Sequence, residues 1–233
     1  MAVLRSPDPD VASVAALIAE PARAAMLMAL LDGRRLAAGE LAERGGVSAQ
    51  AASAHLGKLV AAGMLAVEPA GRQRLYHIAR PELGDLMERL AALAPAPKIV
   101  ALSQNNAAAH LRHARSCYDH LAGKLGVAVT ESLVARRALV AEGSDGYRLT
   151  PLGRRMLEAL GIEIDGAERT RRSFARQCID WSERRPHLAG ALGAAVRERF
   201  LARGWVTPSP SSRALQLTRA GTEALARHFA IRL

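Results

Sequence analysis

The residues best suited to chemistry in this chain are its soft donors. His110, His113, Cys117 and His120 follow one another at three- and four-residue steps. At about 100° per residue such steps fall on one stripe of a helix. Cys178 and His187 are the second group. Thiolate and imidazole are the ligands that soft and borderline metals select. One expectation is therefore a pseudo-two-fold site of Cys117, His120, Cys178 and His187 holding a metal ion or a haem. Thiol redox chemistry is a second. Core packing is the third and most ordinary, because free cysteine is among the most buried residue types and a histidine can cap a carbonyl at a corner between helices.

An internal repeat links the two groups. His120-Leu121-Ala122-Gly123-Lys124-Leu125-Gly126 recurs 67 residues later as His187-Leu188-Ala189-Gly190-Ala191-Leu192-Gly193. Upstream, Cys117-Tyr118-Asp119 matches Cys178-Ile179-Asp180, with six residues inserted before the second histidine. Downstream, Leu149-Thr150-Pro151-Leu152-Gly153 matches Leu217-Thr218-Arg219-Ala220-Gly221. Three matches in order argue for repetition rather than chance. Each copy reads as helix, HLAGxLG, helix, short hairpin (about 138–149 and 205–217), then a helix with threonine at its N-cap. Residues 105–233 are thus expected to form two winged-helix-like repeats, about 105–166 and 167–233. Trp181 and Trp205 are expected to anchor a core or line a pocket between the repeats. Arg169, Arg171, Arg172, Arg176, Arg184 and Arg185 predict one strongly basic helix.

Residues 41–78 carry the clearest local pattern. Gly45-Gly46 makes a turn, and Ser48 can cap a helix that carries Ala51, Ala52, His55, Leu56, Leu59 and Val60 at helical spacing. Leu65–Val67 and Arg74–Ile78 alternate as strands around a Pro69-Ala70-Gly71-Arg72 turn. Upstream, helices are expected around Val11–Ile18 and through Ala22–Leu31, broken at Glu20-Pro21. Pro81 starts another helix, and Pro95 and Pro97 suggest a linker at 94–104. Two helices and a hairpin describe a winged helix-turn-helix, a motif that sets its second helix in the DNA major groove. The fold class is mainly α with short β-hairpins: a winged helix-turn-helix domain over 1–93, a linker, and the repeated C-terminal domain.

Composition agrees with a helical core. Half of the 233 residues are hydrophobic but only 3% are aromatic, so leucine and alanine must fill the interior. The net charge of +10 is less telling than it looks. Residues 1–93 hold ten basic and ten acidic side chains, and 94–233 hold 22 against 12. The DNA argument rests on motif geometry, not on charge. No apolar run reaches the roughly 20 residues that span a bilayer, and the N-terminal residues lack a signal-peptide pattern, so a cytoplasmic protein without membrane contact is expected.

The first 93 residues resemble the ArsR/SmtB family of bacterial repressors. The carrying residues are Leu17–Arg23, Gly39–Ala42, Val47-Ser48, Ser53–Leu56, Leu59-Val60, Ala62–Leu65 and Gly71–Tyr76. The resemblance implies a homodimer, joined through the domain's first and last helices, on double-stranded DNA with a palindromic operator. It implies repression relieved by a small effector. Ser48, Gln50, Ala51, Ser53, His55 and Lys58 would face DNA, and Arg72 and Arg74 on the wing would meet phosphate or the minor groove. Gln50 is the best base reader, since its amide pairs with adenine; Lys58, Arg72 and Arg74 suit phosphate. The family's familiar metal ligands are missing: Ala37–Ala42 has no cysteine and Glu82–Leu93 no histidine. Any effector is expected elsewhere. Two other functions compete. One is an effector-independent structural DNA-binding protein. The other is an enzyme with a DNA-binding head, weakened by the lack of a phosphate-binding glycine loop, a GxSxG elbow or an HExxH pair in 94–233.

Overall fold

The computed structural model describes residues 8–95 and 102–233, so most of the expected 94–104 linker lies outside the described residues. The chain divides into two compact units, Met1–Leu83 and Gly84–Leu233.

In the N-terminal unit, α1 (Val11–Ala19) is capped by Asp10. Next, α2 (Pro21–Ala29) is capped by the Glu20 carboxylate, which accepts from the backbone N–H of Ala22 and Arg23. Proline at the first helical position sacrifices no hydrogen bond. The short strand β1 (Leu36–Ala37) leads into α3 (Ala38–Gly45). Gly46, at φ +63°, ends α3 in the left-handed region, where a residue without Cβ is unstrained. The second helix of the motif, α4 (Ala49–Ala61), is capped by Ser48 and buries Ala52, Leu56 and Leu59. These pack with Met26, Leu27, Leu30, Leu31 and Leu41, all fully buried. The wing is β2 (Leu65–Ala70) paired with β3 (Gln73–Ile78), and β1 adds to its other side. The strands reach further than the sequence reading placed them. Pro69 pairs with Arg74, and the turn shrinks to Gly71-Arg72. Since β2 is an edge strand, Pro69 needs no N–H there.

Helix α5 (Pro81–Leu93) crosses the division between units. Residues 84–93, expected within the N-terminal domain, count with the C-terminal unit because Asp85 pairs with Arg176 and buried Glu88 with Arg213.

The C-terminal unit runs α6 (Leu102–His113), β4 (Arg115–Cys117), β5 (His120–Ala122), α7 (Gly123–Ala135), β6 (Leu139–Glu142), β7 (Gly146–Leu149) and α8 (Pro151–Ala159). After the short α9 (Ile164–Glu168) the same order returns. It comprises β8 (Arg176–Ile179), β9 (Pro186–Ala189), α10 (Gly190–Ala202), β10 (Val206–Pro208), β11 (Leu215–Leu217) and α11 (Arg219–Ala224), closed by a π-helical turn, Leu225–Phe229. The copies exchange strand contacts reciprocally. Gly146 bridges to Arg176, and Ala214 bridges to Arg115; these are equivalent positions of the two copies. One core serves both, with Leu121, Leu125 and Leu133 beside Leu188, Leu192 and Phe200.

Each HLAG segment is a strand running into a helix, not the expected corner between helices. Gly123 and Gly190 make that junction at φ +73° and +82°. A Cβ there would lie 2.6 Å from the Arg112 carbonyl oxygen or 2.6 Å from that of Ser173. Only glycine fits both the dihedral and the space. Thr150 and Thr218 cap α8 and α11, each accepting at 3.0 Å from the N–H three residues on. Among the described residues no single helix is long and apolar enough to cross a membrane; α1 and α2 pass only as a pair bent by 84°.

Candidate functional site

The outward face of α4 is polar and small. Gln50, Ser53 and Lys58 are exposed, with Ala54 and Gly57 between them, and Ala51 is half-buried. Ser48 is exposed, but its hydroxyl oxygen is engaged by the Ala51 N–H at 3.2 Å. His55 is half-buried, with Nδ1 3.5 Å from a Glu20 carboxylate oxygen and 3.4 Å from Arg23 Nη1. That ring is held to α2 as much as it is offered outward. Arg72 and Arg74 are exposed on the wing, and neither forms an ion pair among the described residues. The sequence reading missed Arg23. Its buried guanidinium donates to the carbonyls of Leu17 (2.6 Å) and Ala16 (2.8 Å), fastening α1 to α2.

The second candidate lies inside the C-terminal unit. Antiparallel pairing sets Cys117 opposite His120 in the β4–β5 hairpin and Cys178 opposite His187 in the β8–β9 hairpin. Each repeat contributes one cysteine and one histidine. All four are buried, and their donor atoms lie within 4.8 Å of one another. The two sulfurs are 3.8 Å apart and the two imidazole centroids 5.0 Å. The predicted helical stripe does not exist: α6 ends at His113, and the chain turns into a strand before Cys117. His110 is exposed, His113 half-buried, and neither joins the cluster. The predicted basic helix is also absent. Beyond α9 those arginines are on irregular backbone and in β8, where Arg172 pairs with Asp119, Arg176 with Asp85 and Arg185 with Glu131. Both tryptophans anchor packing: Trp181 lies under the Arg115 guanidinium at 4.4 Å, and Trp205 meets Phe200 edge-on at 5.0 Å.

The cluster is electrostatically divided. Burial pushes the Cys117 thiol up. The hydrogen bond from Cys117 drives Cys178 the other way against the cost of burial, helped by both imidazoles. Burial opposes charge on His120, yet Asp119 and the Cys178 sulfur outweigh it and raise its pKa to about 9. Burial lowers the pKa of His187. The two thiols are thus pushed in opposite directions, and so are the two imidazoles. Although both rings approach the Cys178 sulfur, Nε2 of His120 and both ring nitrogens of His187 lack a hydrogen bond of proper geometry among the described residues. A buried polar atom left so costs about 1–3 kcal/mol. The donors are too close together and too enclosed for a porphyrin to enter among them, so the geometry rules against the haem reading. A single ion or a thiol pair fits.

The MarR family profile matches residues 20–74, from the cap of α2 into the wing. Over nearly its whole length the chain is similar to the uncharacterized HTH-type transcriptional regulator YdfF of Bacillus subtilis (strain 168). They are 37% identical over 226 residues, covering 97% of this chain and 100% of that protein. Among solved structures, reduced HlyU from Vibrio cholerae N16961 is 27% identical and covers 36% of this chain and 88% of its own, with a TM-score of 0.34. The homodimeric winged helix-turn-helix DNA-binding domain of Mb0332 from Mycobacterium bovis is 25% identical. It covers 47% of this chain and 95% of its own, with a TM-score of 0.31.

Proposed function

The chain belongs to the helix-turn-helix transcriptional regulators, and from that premise we propose a dimeric repressor that holds a palindromic operator and lets go when an effector acts on its C-terminal unit. Winged-helix regulators bind double-stranded DNA through the second helix of the motif and the wing. The observation that carries the reading here is the face of α4. Its buried side is apolar, while its exposed side presents Gln50, Ser53 and Lys58 with small residues between them, so a backbone can approach base edges closely. Arg72 and Arg74, exposed at the wing, supply phosphate or minor-groove contacts. Ser48, Ala51 and His55 line the same end, with Ser48 and His55 acting mainly through the hydrogen bonds that fix the helix.

Within the winged-helix regulators we assign the chain to the ArsR/SmtB group, on the residues that carry the resemblance. DNA reading belongs to 1–93, and effector response or dimer support to the repeats of 105–233. The work is binding, not catalysis, and its place is the cytoplasm. A homodimer accounts for the apolar residues on the first and last helices of the domain: α1 exposes Val11 and Val14, and α5 exposes Leu86, Leu90 and Leu93.

The test is a gel-shift titration on an operator selected from random DNA, with salt varied. Gln50→Ala is expected to cost about 1–3 kcal/mol per half-site and to relax one position of the preference. Arg74→Ala should weaken all sequences alike and lower the salt slope by about one per lost phosphate contact. If neither substitution changes DNA affinity, α4 and the wing are not the reading head.

A further inference from the structure

We propose that Cys117, His120, Cys178 and His187 bind one thiophilic cation with a filled d shell, Zn²⁺ being the type ion, in a closed four-ligand site that staples the two C-terminal repeats together. The proposal does not rest on the DNA reading, and its test uses no DNA.

Four lines of geometry support it. Zn–S bonds of about 2.3 Å at a tetrahedral angle hold two sulfurs about 3.8 Å apart. The Cys117 and Cys178 sulfurs are 3.8 Å apart, and all four donors lie within 4.8 Å. Two thiolates and two neutral imidazoles also cancel the charge of a divalent ion. A neutral centre can be wholly buried, as this one is, whereas a bare charge cannot. Ligation takes both cysteines as thiolates and both histidines as neutral imidazoles, so metal uptake releases protons and strengthens as pH rises.

The orphaned nitrogens are the third line. Asp119 Oδ1 sits 3.3 Å from Nδ1 of His120, and Asp180 Oδ2 faces Nδ1 of His187 at 3.8 Å. That leaves Nε2 of His120 to ligate, while both ring nitrogens of His187 are buried without a hydrogen bond among the described residues and Asp180 stands nearest Nδ1. A carboxylate behind a ligating histidine fixes the ring and its tautomer. Here the two carboxylates occupy equivalent positions of the two repeats. A cluster that merely filled space would not need two imidazoles with empty nitrogens.

Access is the fourth. A cleft of about 540 Å³ has Cys178 in its wall, beside Asp85, Arg89, Arg176 and Arg184. Of the four ligands, Cys178 is the one that this cleft reaches.

The experiment uses the full chain, reduced and stripped of metal, titrated with Co²⁺ and then Zn²⁺. One Co²⁺ per chain is expected, with the visible bands of a tetrahedral ion and thiolate-to-metal charge transfer, displaced by one Zn²⁺. Zn²⁺ should slow alkylation of the cysteines by about tenfold or more. Asp119→Asn should weaken metal affinity roughly 10–100-fold, while His110→Ala and His113→Ala leave it unchanged. A six-coordinate Co²⁺ spectrum, or undiminished binding by Cys117→Ser/Cys178→Ser, would overturn the site. Should that double variant not fold, wild-type protein decides: alkylation indifferent to Zn²⁺, or a Cys117–Cys178 disulfide formed in place of metal uptake, sinks the proposal.

Discussion

Arg115 is the largest fully buried side chain, and replacing it tests how the repeats are held together. Its Nη2 donates to Asp180 Oδ2 at 2.8 Å, its Nη1 donates to the Leu111 carbonyl and Ser182 Oγ at 3.2 Å, and its guanidinium covers Trp181. Asp180 in turn accepts from Gly123 N at 2.7 Å, Ser182 N at 2.9 Å, Ser182 Oγ at 2.7 Å and Glu183 N at 3.0 Å. Burial works against its charge, but Arg115 and these donors prevail and hold its pKa at about 2. Arg115→Met keeps the volume and removes the cation, leaving a carboxylate buried and unpaired. Breaking such a pair costs about 3–5 kcal/mol. Four remaining donors soften the loss, so the low end, about 3 kcal/mol, is expected. With a urea m-value of about 2 kcal/mol/M, the midpoint falls by about 1.5 M. Tryptophan emission is the assay, in chelator to keep metal out of the comparison, because both tryptophans, Trp181 and Trp205, lie in the C-terminal unit. Arg115→Met/Asp180→Asn removes the stranded charge and should recover part of the loss. A single variant within about 0.5 kcal/mol of wild type, or a double variant as costly as the two singles summed, refutes the account.

Two further outcomes follow from the repeated junctions. Gly190→Ala and Gly123→Ala combine a positive φ with a Cβ 2.6 Å from a backbone oxygen, so each should cost about 2 kcal/mol or more in the same urea assay. Gly204→Ala, at φ +64° in open space, is the control and should cost about 1 kcal/mol; equal losses at all three would contradict the steric argument. Thr150→Ala and Thr218→Ala each remove a cap and should cost about 1–2 kcal/mol, largely restored by serine.

What the sequence made legible depended on where its punctuation lay. The helix-turn-helix and wing are marked by Gly46, Ser48 and Gly71, each at a position whose backbone asks for that residue type. The four clustered donors emerge from matching the chain with itself, although their elements do not. Cys117 and His120 are separated by a two-residue turn, Tyr118-Asp119, and Tyr118 stands at φ +56° with no glycine to announce it. A bulky residue in that region is uncommon, so three- and four-residue spacings from His110 to His120 imitate a helix that stops at His113. The arginines of 169–185 mislead in the same way. Charge density alone suggests a solvated helix, whereas the acids that claim them, Asp85, Asp119 and Glu131, are distant in sequence.

Equivalence between the repeats also shows where the structure departs from symmetry. Arg115 and Arg176 are repeat-mates, as are Asp180 and Asp119. One cross pair, Arg115 with Asp180, is buried between the repeats. Its counterpart is not made: Arg176 turns to Asp85 on α5, and Asp119 takes Arg172 instead. The other cysteine strand also reaches α5. Ser116, next to Cys117, donates its N–H to the Arg213 carbonyl at 2.9 Å, and Arg213 pairs with buried Glu88. Each strand bearing a cysteine is therefore tied, one or two residues from the sulfur, to the same helix. Because α5 begins at Pro81, it continues covalently into the N-terminal unit. The two cysteine strands, related by the repeat, thus meet one helix through two different arginines, Arg176 directly and Arg213 by way of Ser116.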